Sequence, residues 1–154
     1  MKRSIFAVLM ISWMSAVSLG ALVDNQDASI LVKMFSWWNE TMNGPNAFTE
    51  EGFRKYYTED AVIFINRRVT VRGIKPLVSH FNKIQEATDW VEIILPFEVE
   101  FLSASGDRIF TYHLIQASAD GEKRTTHVMG YAQIEQGKIS VVDFLRIDAP
   151  FGAK

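Results

Sequence analysis

The fold is set by residues 90–148, WVEIILPFEVEFLSASGDRIFTYHLIQASADGEKRTTHVMGYAQIEQGKISVVDFLRID. Three glycine-containing links divide this segment into four apolar, β-prone runs: Ala104-Ser105-Gly106, Ala119-Asp120-Gly121 and Glu135-Gln136-Gly137. Each link fits a three-residue hairpin loop, in which a type I turn is followed by glycine in the left-handed region. The sequence therefore predicts an antiparallel meander with strands at 90–102, 107–118, 123–134 and 138–148.

The predicted loops also set which side chains share a face of the sheet, because side chains alternate with a period of two. The loops would pair Ser103 with Asp107, Ser118 with Glu122 and Ile134 with Lys138. Counting back from these pairs places several polar and aromatic groups on one strongly apolar face: Phe97, Thr111, His113, His127, Met129, Tyr131 and Asp143. We expect the helices to cover that face.

The opposite face mixes polar and apolar side chains. It would hold, among others, Thr126, Arg146, Phe110, Leu114 and Phe144. Because this face is too apolar for free solvent, we expect a homodimer that forms through the outer sheet face.

Helices are predicted before the meander. Asp27 or Ser29 can cap a first helix that runs to about Met42, and Thr49 can cap a short second one. Pro76, after Gly73, fits the first turn of a third helix. A short β-prone run lies at 61–65. The prediction is an α+β fold in which three N-terminal helices pack on a curved antiparallel β-sheet around a central pocket.

The N-terminus is typical of an export signal. Lys2 and Arg3 precede an uncharged run that ends before Asp24, with small residues near its end. We expect residues 1–20 to be a signal peptide cleaved after Gly20 or Ser18, although an uncleaved anchor has a similar pattern. The folded domain would then span residues 24–150, in the bacterial periplasm or secreted, with no stable membrane association after cleavage.

Composition excludes some classes of protein. Hydrophobic residues make up 48% of the chain and charged residues 22%, which is typical of a globular domain. The net charge of −2 and the absence of a Lys/Arg cluster argue against nucleic acid as a partner. With no cysteine, the protein has no disulfide and must be stabilised by packing.

Three stretches resemble the nuclear transport factor 2-like superfamily, which includes SnoaL-like cyclases, ketosteroid isomerase and scytalone dehydratase. They are FRKYYTEDAVI at 53–63, VRGIKPL at 71–77 and GKI at 137–139, in the same order of elements. The resemblance implies a cystatin-like cone with a pocket for a small, mostly apolar molecule. The aspartate base of ketosteroid isomerase would fall at about Ile65, beside Asn66, and its tyrosine at about Trp37. Because neither group is present, that activity is not transferred.

The predicted register creates a candidate catalytic cluster of His113, His127 and Asp143. Opposed side chains on neighbouring strands lie close enough to interact. Histidine can transfer a proton near neutral pH, and a carboxylate can orient it. Alternatively, the three groups satisfy only one another or water. Two histidines and a carboxylate are also a known metal ligand set, but strand geometry does not obviously converge them, and we predict no metal and no cofactor.

The residues expected to line the pocket and bind substrate are mostly aromatic: Trp37, Tyr57, Phe97, Thr111, Met129 and Tyr131. His80, on the third helix, is interpreted as a surface histidine. Two functions remain open: a cofactor-independent isomerase, dehydratase or cyclase that uses histidine–aspartate chemistry, and a non-catalytic ligand-binding or assembly module. Histidines that open into a cavity would favour the enzyme, and fully hydrogen-bonded histidines would favour the module.

Overall fold

Three helices pack on one face of the sheet in the computed structural model, which describes residues 28–152. They are α1, Ile30–Met42; α2, Glu50–Arg54; and α3, Ile74–Ala87. Two predicted N-caps are confirmed, because Ser29 Oγ accepts from the amide of Val32 and Thr49 Oγ1 accepts from that of Gly52, both at 3.1 Å. The predicted signal peptide lies outside the described residues.

The sheet has seven strands: β1, Tyr57–Ile65; β2, Arg68–Arg72; β3, Trp90–Ile93; β4, Val99–Leu102; β5, Arg108–Ala119; β6, Glu122–Glu135; and β7, Lys138–Pro150. Their order is β2-β1-β7-β6-β5-β3, and β4 also pairs with β5. All pairs are antiparallel except β1 with β7, which is parallel. The α+β prediction is confirmed, although the sheet is mixed.

Several strands differ from the prediction in their bounds. The expected strand at 90–102 is divided into β3 and β4, and Pro96, which lacks an amide hydrogen for a strand ladder, lies between them. A further strand, β2, was not predicted, and Arg67, with a φ of 65°, lies in the turn before it. Arg68 begins β2, which hydrogen-bonds to β1.

The prediction of three-residue hairpin loops was wrong. Ala119 pairs with Glu122 across a two-residue turn in which Asp120 and Gly121 have φ values of 52° and 76°. Gln136 and Gly137 form a matching turn between β6 and β7. Two consecutive positive φ values define the type I′ turn, whose twist suits a two-residue hairpin. The link between β4 and β5 is longer, since Ser103 N donates to Arg108 O at 2.8 Å.

The shorter turn shifts the register between β5 and β6 by one residue. His113 lies opposite Val128, and His127 lies opposite Leu114. Because a one-residue shift moves every side chain of a strand to the other face, the predicted face assignment is correct for β5 and wrong for β6. It is also wrong for the part of β7 that faces this region, where Asp143 pairs with Tyr131.

Gly130 allows β6 and β7 to approach closely on the inner face. It lies opposite Phe144 with a φ of 153°. A Cβ at this position would collide with the carbonyl oxygen of Asp143 and lie 2.9 Å from Cδ1 of Phe144. Glycine therefore permits a local bend, next to a register shift between Gln133 and Ile134, in a sheet that curves around the core.

The core lies between the helices and the inner face of the sheet. Its fully buried side chains include Leu31, Met34, Phe53, Leu77 and Ile139. An aromatic cluster joins α1, α2 and α3 through Trp37, Trp38, Phe48, Phe53 and Phe81.

Asn39 on α1 and Asn43, the residue that follows the helix, cover the free edge of β3. The Asn39 side chain donates to Ile93 O at 2.8 Å and accepts from Ile93 N at 2.9 Å. One helical turn later, Asn43 makes the same two contacts with Val91, at 2.7 and 3.2 Å. These amides replace a neighbouring strand, so the edge is not left unpaired.

Within residues 28–152, none of the helices has the length and apolarity needed to cross a membrane.

Candidate functional site

A cavity of about 450 Å³ lies between α1, α3 and the inner face of the sheet. Its wall is largely apolar and includes Met34, Phe35, Trp38, Ile63, Ile65, Phe81, Ile84, Ile93, Ile115, Val128, Val142 and Phe144. Helical side chains reach it from α1 and α3 because each helix buries one stripe against the sheet. A cavity of this size and character can bury much of a small organic molecule.

His113 is the most deeply buried polar group in the cavity wall, with no exposed surface. Its Nδ1 is 3.1 Å from Oγ1 of Thr111, the previous inward-facing residue of β5. Three phenylalanine rings surround the imidazole: Phe35, Phe97 and Phe144, with centroids 5.5, 5.0 and 5.3 Å away. Within the described residues, Nε2 has no hydrogen-bond partner. His113 therefore offers a single free polar atom.

The environment of His113 keeps its ring neutral. Burial, together with the smaller effect of the positive charge of Arg146, lowers the pKa of His113 to about 4. At neutral pH the ring is an uncharged imidazole, whose Nε2 donates or accepts a hydrogen bond depending on which nitrogen carries the proton. Such a group can position a hydroxyl or carbonyl, but it is a weak base.

Tyr57 also lines the cavity, as predicted. Its side chain is buried, and its hydroxyl donates to the sulfur of Met34 at 3.6 Å. Burial raises the pKa of the Tyr57 phenol, so the group stays protonated. Because a thioether is a weak acceptor, this hydroxyl could turn to a stronger ligand acceptor.

Positively charged side chains lie where the cavity meets solvent. Two exposed members of the wall, Lys83 on α3 and Arg124 on β6, mark the opening, and the partly buried Arg146 on β7 belongs to the same wall. Burial lowers the pKa of His80, and the charges of Arg146 and Lys83 lower it further. His80 is therefore an uncharged neighbour of these cations.

The predicted catalytic cluster does not form. His127 lies on the outer face, where its Nδ1 is 2.7 Å from the hydroxyl of Tyr112, and Asp143 lies on that face opposite Tyr131. His113 alone faces the cavity. The physical reason is the two-residue turn at Asp120-Gly121, which reverses the orientation of β6 relative to β5.

The predicted substrate-binding residues separate into three groups. Tyr57 lines the cavity, and Phe97 and Thr111 contact His113. Trp37 packs in the aromatic cluster, away from the cavity wall. Met129 and Tyr131 lie on the outer face, opposite Leu145 and Asp143 respectively, so their prediction as pocket residues was wrong.

Sequence reasoning missed the polar residues of the opening. Arg146 and Thr126 were assigned to the outer face because of the register error, yet both line the cavity. His80 was interpreted as a surface histidine but belongs to the same wall. Its spacing from Leu77 and Ile84, three and four residues away, was the available signal, since those positions share one helical face.

The cavity wall contains no carboxylate within the described residues. Ile65, near which the resemblance would place the isomerase base, contributes an apolar side chain to it. The neighbouring Asn66 is engaged elsewhere, because its side-chain oxygen accepts from Arg146 N at 2.8 Å. In residues 28–152, no group of three or more histidine, aspartate or glutamate side chains is placed to hold a metal ion.

Comparison with solved structures identifies the fold. A protein of unknown function from Exiguobacterium sp. 255-15, described as nuclear transport factor 2-like, matches with a TM-score of 0.60 and 17% identity over 79% of this chain and 98% of that one. A candidate SnoaL-like polyketide cyclase from Jannaschia sp. CCS1 matches with a TM-score of 0.56 and 11% identity, over 77% and 85% of the chains.

A third structure, from Catenulispora acidiphila DSM 44928, has a ketosteroid isomerase-like fold and is in complex with trimethylamine. It matches with a TM-score of 0.56 and 8% identity, over 75% of this chain and 84% of that one. No protein-family model matches this sequence, and no curated protein does. At these identities, the structures establish a shared fold.

Proposed function

We propose that this chain, whose fold is nuclear transport factor 2-like, binds a small, largely apolar molecule in its cavity and does not convert it chemically. The observation that carries this proposal is an apolar cavity of about 450 Å³ whose wall includes His113, a buried imidazole with an unpartnered Nε2. Apolar walls supply affinity, and one buried polar atom selects a ligand with a matching hydroxyl or carbonyl. The trimethylamine complex of the Catenulispora protein supports a small-molecule role for this fold.

Binding is better supported than turnover. General acid–base catalysis is most efficient when the catalytic pKa lies near the working pH, whereas burial lowers the pKa of His113 to about 4. The carboxylate and the second histidine of the expected acid–base cluster lie on the outer face. An isomerase, dehydratase or cyclase would have to use His113 and Tyr57 without a carboxylate in the cavity wall.

A fluorescence titration tests the binding proposal. N-phenyl-1-naphthylamine is an uncharged, apolar dye whose emission increases on transfer from water to an apolar site. We expect saturable binding of one dye per chain. Ala117→Leu, which adds volume to the cavity wall, should weaken it by about tenfold or more. Ala104→Leu makes the same change in an exposed loop and should leave binding unchanged. Absence of dye binding, or equal binding by the Ala117→Leu variant, would refute the proposal.

We also propose that the outer sheet face pairs with a second copy of the chain. Five of its apolar side chains are exposed: Val99, Phe101, Met129, Leu145 and Ile147. The residues paired around them on this face are mainly uncharged, since Val99 pairs with Tyr112, Phe101 with Phe110 and Met129 with Leu145. Met129→Lys should convert a dimer to a monomer in light scattering, whereas Ser79→Lys on α3 should not. A monomeric wild-type protein would contradict this.

Export is proposed from the sequence pattern of residues 1–20. The expected result is a mature chain that begins at residue 19 or 21, and N-terminal sequencing of protein expressed with its complete leader measures it. A retained leader in the native host would contradict cleavage.

A further inference from the structure

The charged side chains at the cavity opening are all positive within the described residues. Lys83, Arg124 and Arg146 all belong to the cavity wall, and that wall has no aspartate or glutamate within the described residues. The whole chain, by contrast, carries a net charge of −2. The local excess of positive charge is therefore a property of this opening and not of the general surface.

Arg146 is partly buried without a direct partner for its guanidinium. Within residues 28–152, no hydrogen bond or salt bridge of this group is present, and its backbone amide alone is engaged, by Asn66. The carboxylate whose charge acts on it is Asp148, which accepts a hydrogen bond from Thr126 Oγ1 at 2.6 Å. Since a buried charge without a partner destabilises a folded protein, the guanidinium is available for an anion.

The field of Arg146 extends along the cavity. Its charge lowers the pKa of His80 near the opening and that of His113 in the interior. Both imidazoles are thus uncharged beside an arginine that keeps its charge. Arg146 and His113 lie in one row across the sheet, on either side of Val128. The cation and the neutral imidazole therefore belong to the same, largely apolar wall.

We propose that the ligand is a single-chain carboxylic acid with an apolar body. The carboxylate binds Arg146 at the opening, where Lys83 and Arg124 add to the attraction. The apolar part occupies the cavity, whose wall includes His113. Arginine suits this role because its planar group donates two parallel hydrogen bonds to a carboxylate. This inference rests on the proposed binding function and adds the charge of the ligand.

Three probes with one tail and different head groups test the inference: decanoate, decan-1-ol and decylammonium. Each is titrated into the full protein by calorimetry at neutral pH and low salt. We expect decanoate to bind about tenfold more tightly than decan-1-ol, and decylammonium to bind most weakly. Added salt should weaken decanoate binding more than decan-1-ol binding.

Arg146→Gln should remove the preference for decanoate over decan-1-ol. Lys75→Gln removes an equally charged, exposed side chain from α3 outside the cavity wall and should preserve the preference. Because Arg146→Gln removes a charge without a direct partner, the variant should fold with an unfolding midpoint equal to or above that of the wild type. Circular dichroism checks this.

The outcomes separate the two proposals. Equal affinity for decanoate and decan-1-ol, or a preference that persists in Arg146→Gln, would refute the anionic ligand and leave the apolar cavity function standing. Failure of all three probes and of N-phenyl-1-naphthylamine to bind would refute both.

Discussion

Oγ1 of Thr111 lies 3.1 Å from Nδ1 of His113, two positions apart on the inner face of β5. This contact occupies one ring nitrogen and fixes the plane of the imidazole among three phenylalanine rings. The other nitrogen, Nε2, is buried and has no hydrogen-bond partner within the described residues. Thr111 therefore holds the imidazole in place, and His113 contributes the unpartnered nitrogen to the site.

Removal of the Thr111 hydroxyl should destabilise the protein. Thr111→Val leaves Nδ1 of His113 without a partner in a buried site, which costs about 1–3 kcal/mol. In the double variant Thr111→Val/His113→Phe both polar partners are absent, and we expect stability within about 1 kcal/mol of the wild type. Urea unfolding of the wild type, both single variants and the double variant measures this coupling. Additive effects of the two changes would contradict it.

Acid should destabilise the protein through His113. Its pKa is about 4 in the folded protein and about 6.5 in the unfolded chain. As pH falls below 6.5, the unfolded chain takes up a proton that the folded protein does not take up until about pH 4. The unfolded state is therefore favoured across this window, by on the order of 3 kcal/mol when the window is complete.

Urea unfolding near pH 7 and near pH 4 measures this effect in the wild type and in His113→Phe. The variant should lose less stability on acidification, and the difference isolates His113 from the carboxylates. His80→Gln should reduce the loss of stability on acidification by a smaller amount. Burial lowers the pKa of His80, but its side chain remains partly exposed. Equal acid sensitivity of wild type and His113→Phe would show that His113 is not the group responsible.

The asparagine contacts at the edge of β3 should contribute to stability. Asn39→Ala leaves the amide and carbonyl of Ile93 without their partners, and we expect a loss of about 1–3 kcal/mol in the free energy of unfolding. Asn46→Ala, in the exposed link after α1, serves as the control and should change stability by less than about 0.5 kcal/mol. Equal effects of the two changes would disprove the edge-covering role.

Gly130→Ala should be far more damaging than other glycine substitutions. The added methyl group collides with backbone of β7, which cannot move without breaking the ladder, and we expect a loss of more than about 3 kcal/mol. Gly121→Ala is the control: it meets open space and costs only the left-handed strain of about 1–2 kcal/mol. Thermal unfolding of both variants compares them. Similar melting temperatures would refute a close approach at Gly130.

Local chemistry in the sequence was sufficient for the elements and their class. Ser29 and Thr49 predicted the two helix starts, because an N-cap hydroxyl accepts a hydrogen bond from an amide only three residues later in the chain. Glycines at 121 and 137 located the hairpins because few other residues adopt positive φ at low cost. These signals involve neighbours in the chain, so they are readable without the fold.

The tertiary structure alone decided which side chains meet. Asp120-Gly121 is compatible with a two-residue or a three-residue loop, and the choice moves His127 and Arg146 to opposite faces from those expected. Burial of apolar side chains beneath the helices selects between the two registers. The free energy of this burial depends on all strands of the sheet together and not on the turn alone. The cavity opening likewise depends on the tertiary structure, because it brings together Lys83 on α3, Arg124 on β6 and Arg146 on β7. Their spacing along the chain does not show that they are neighbours in space.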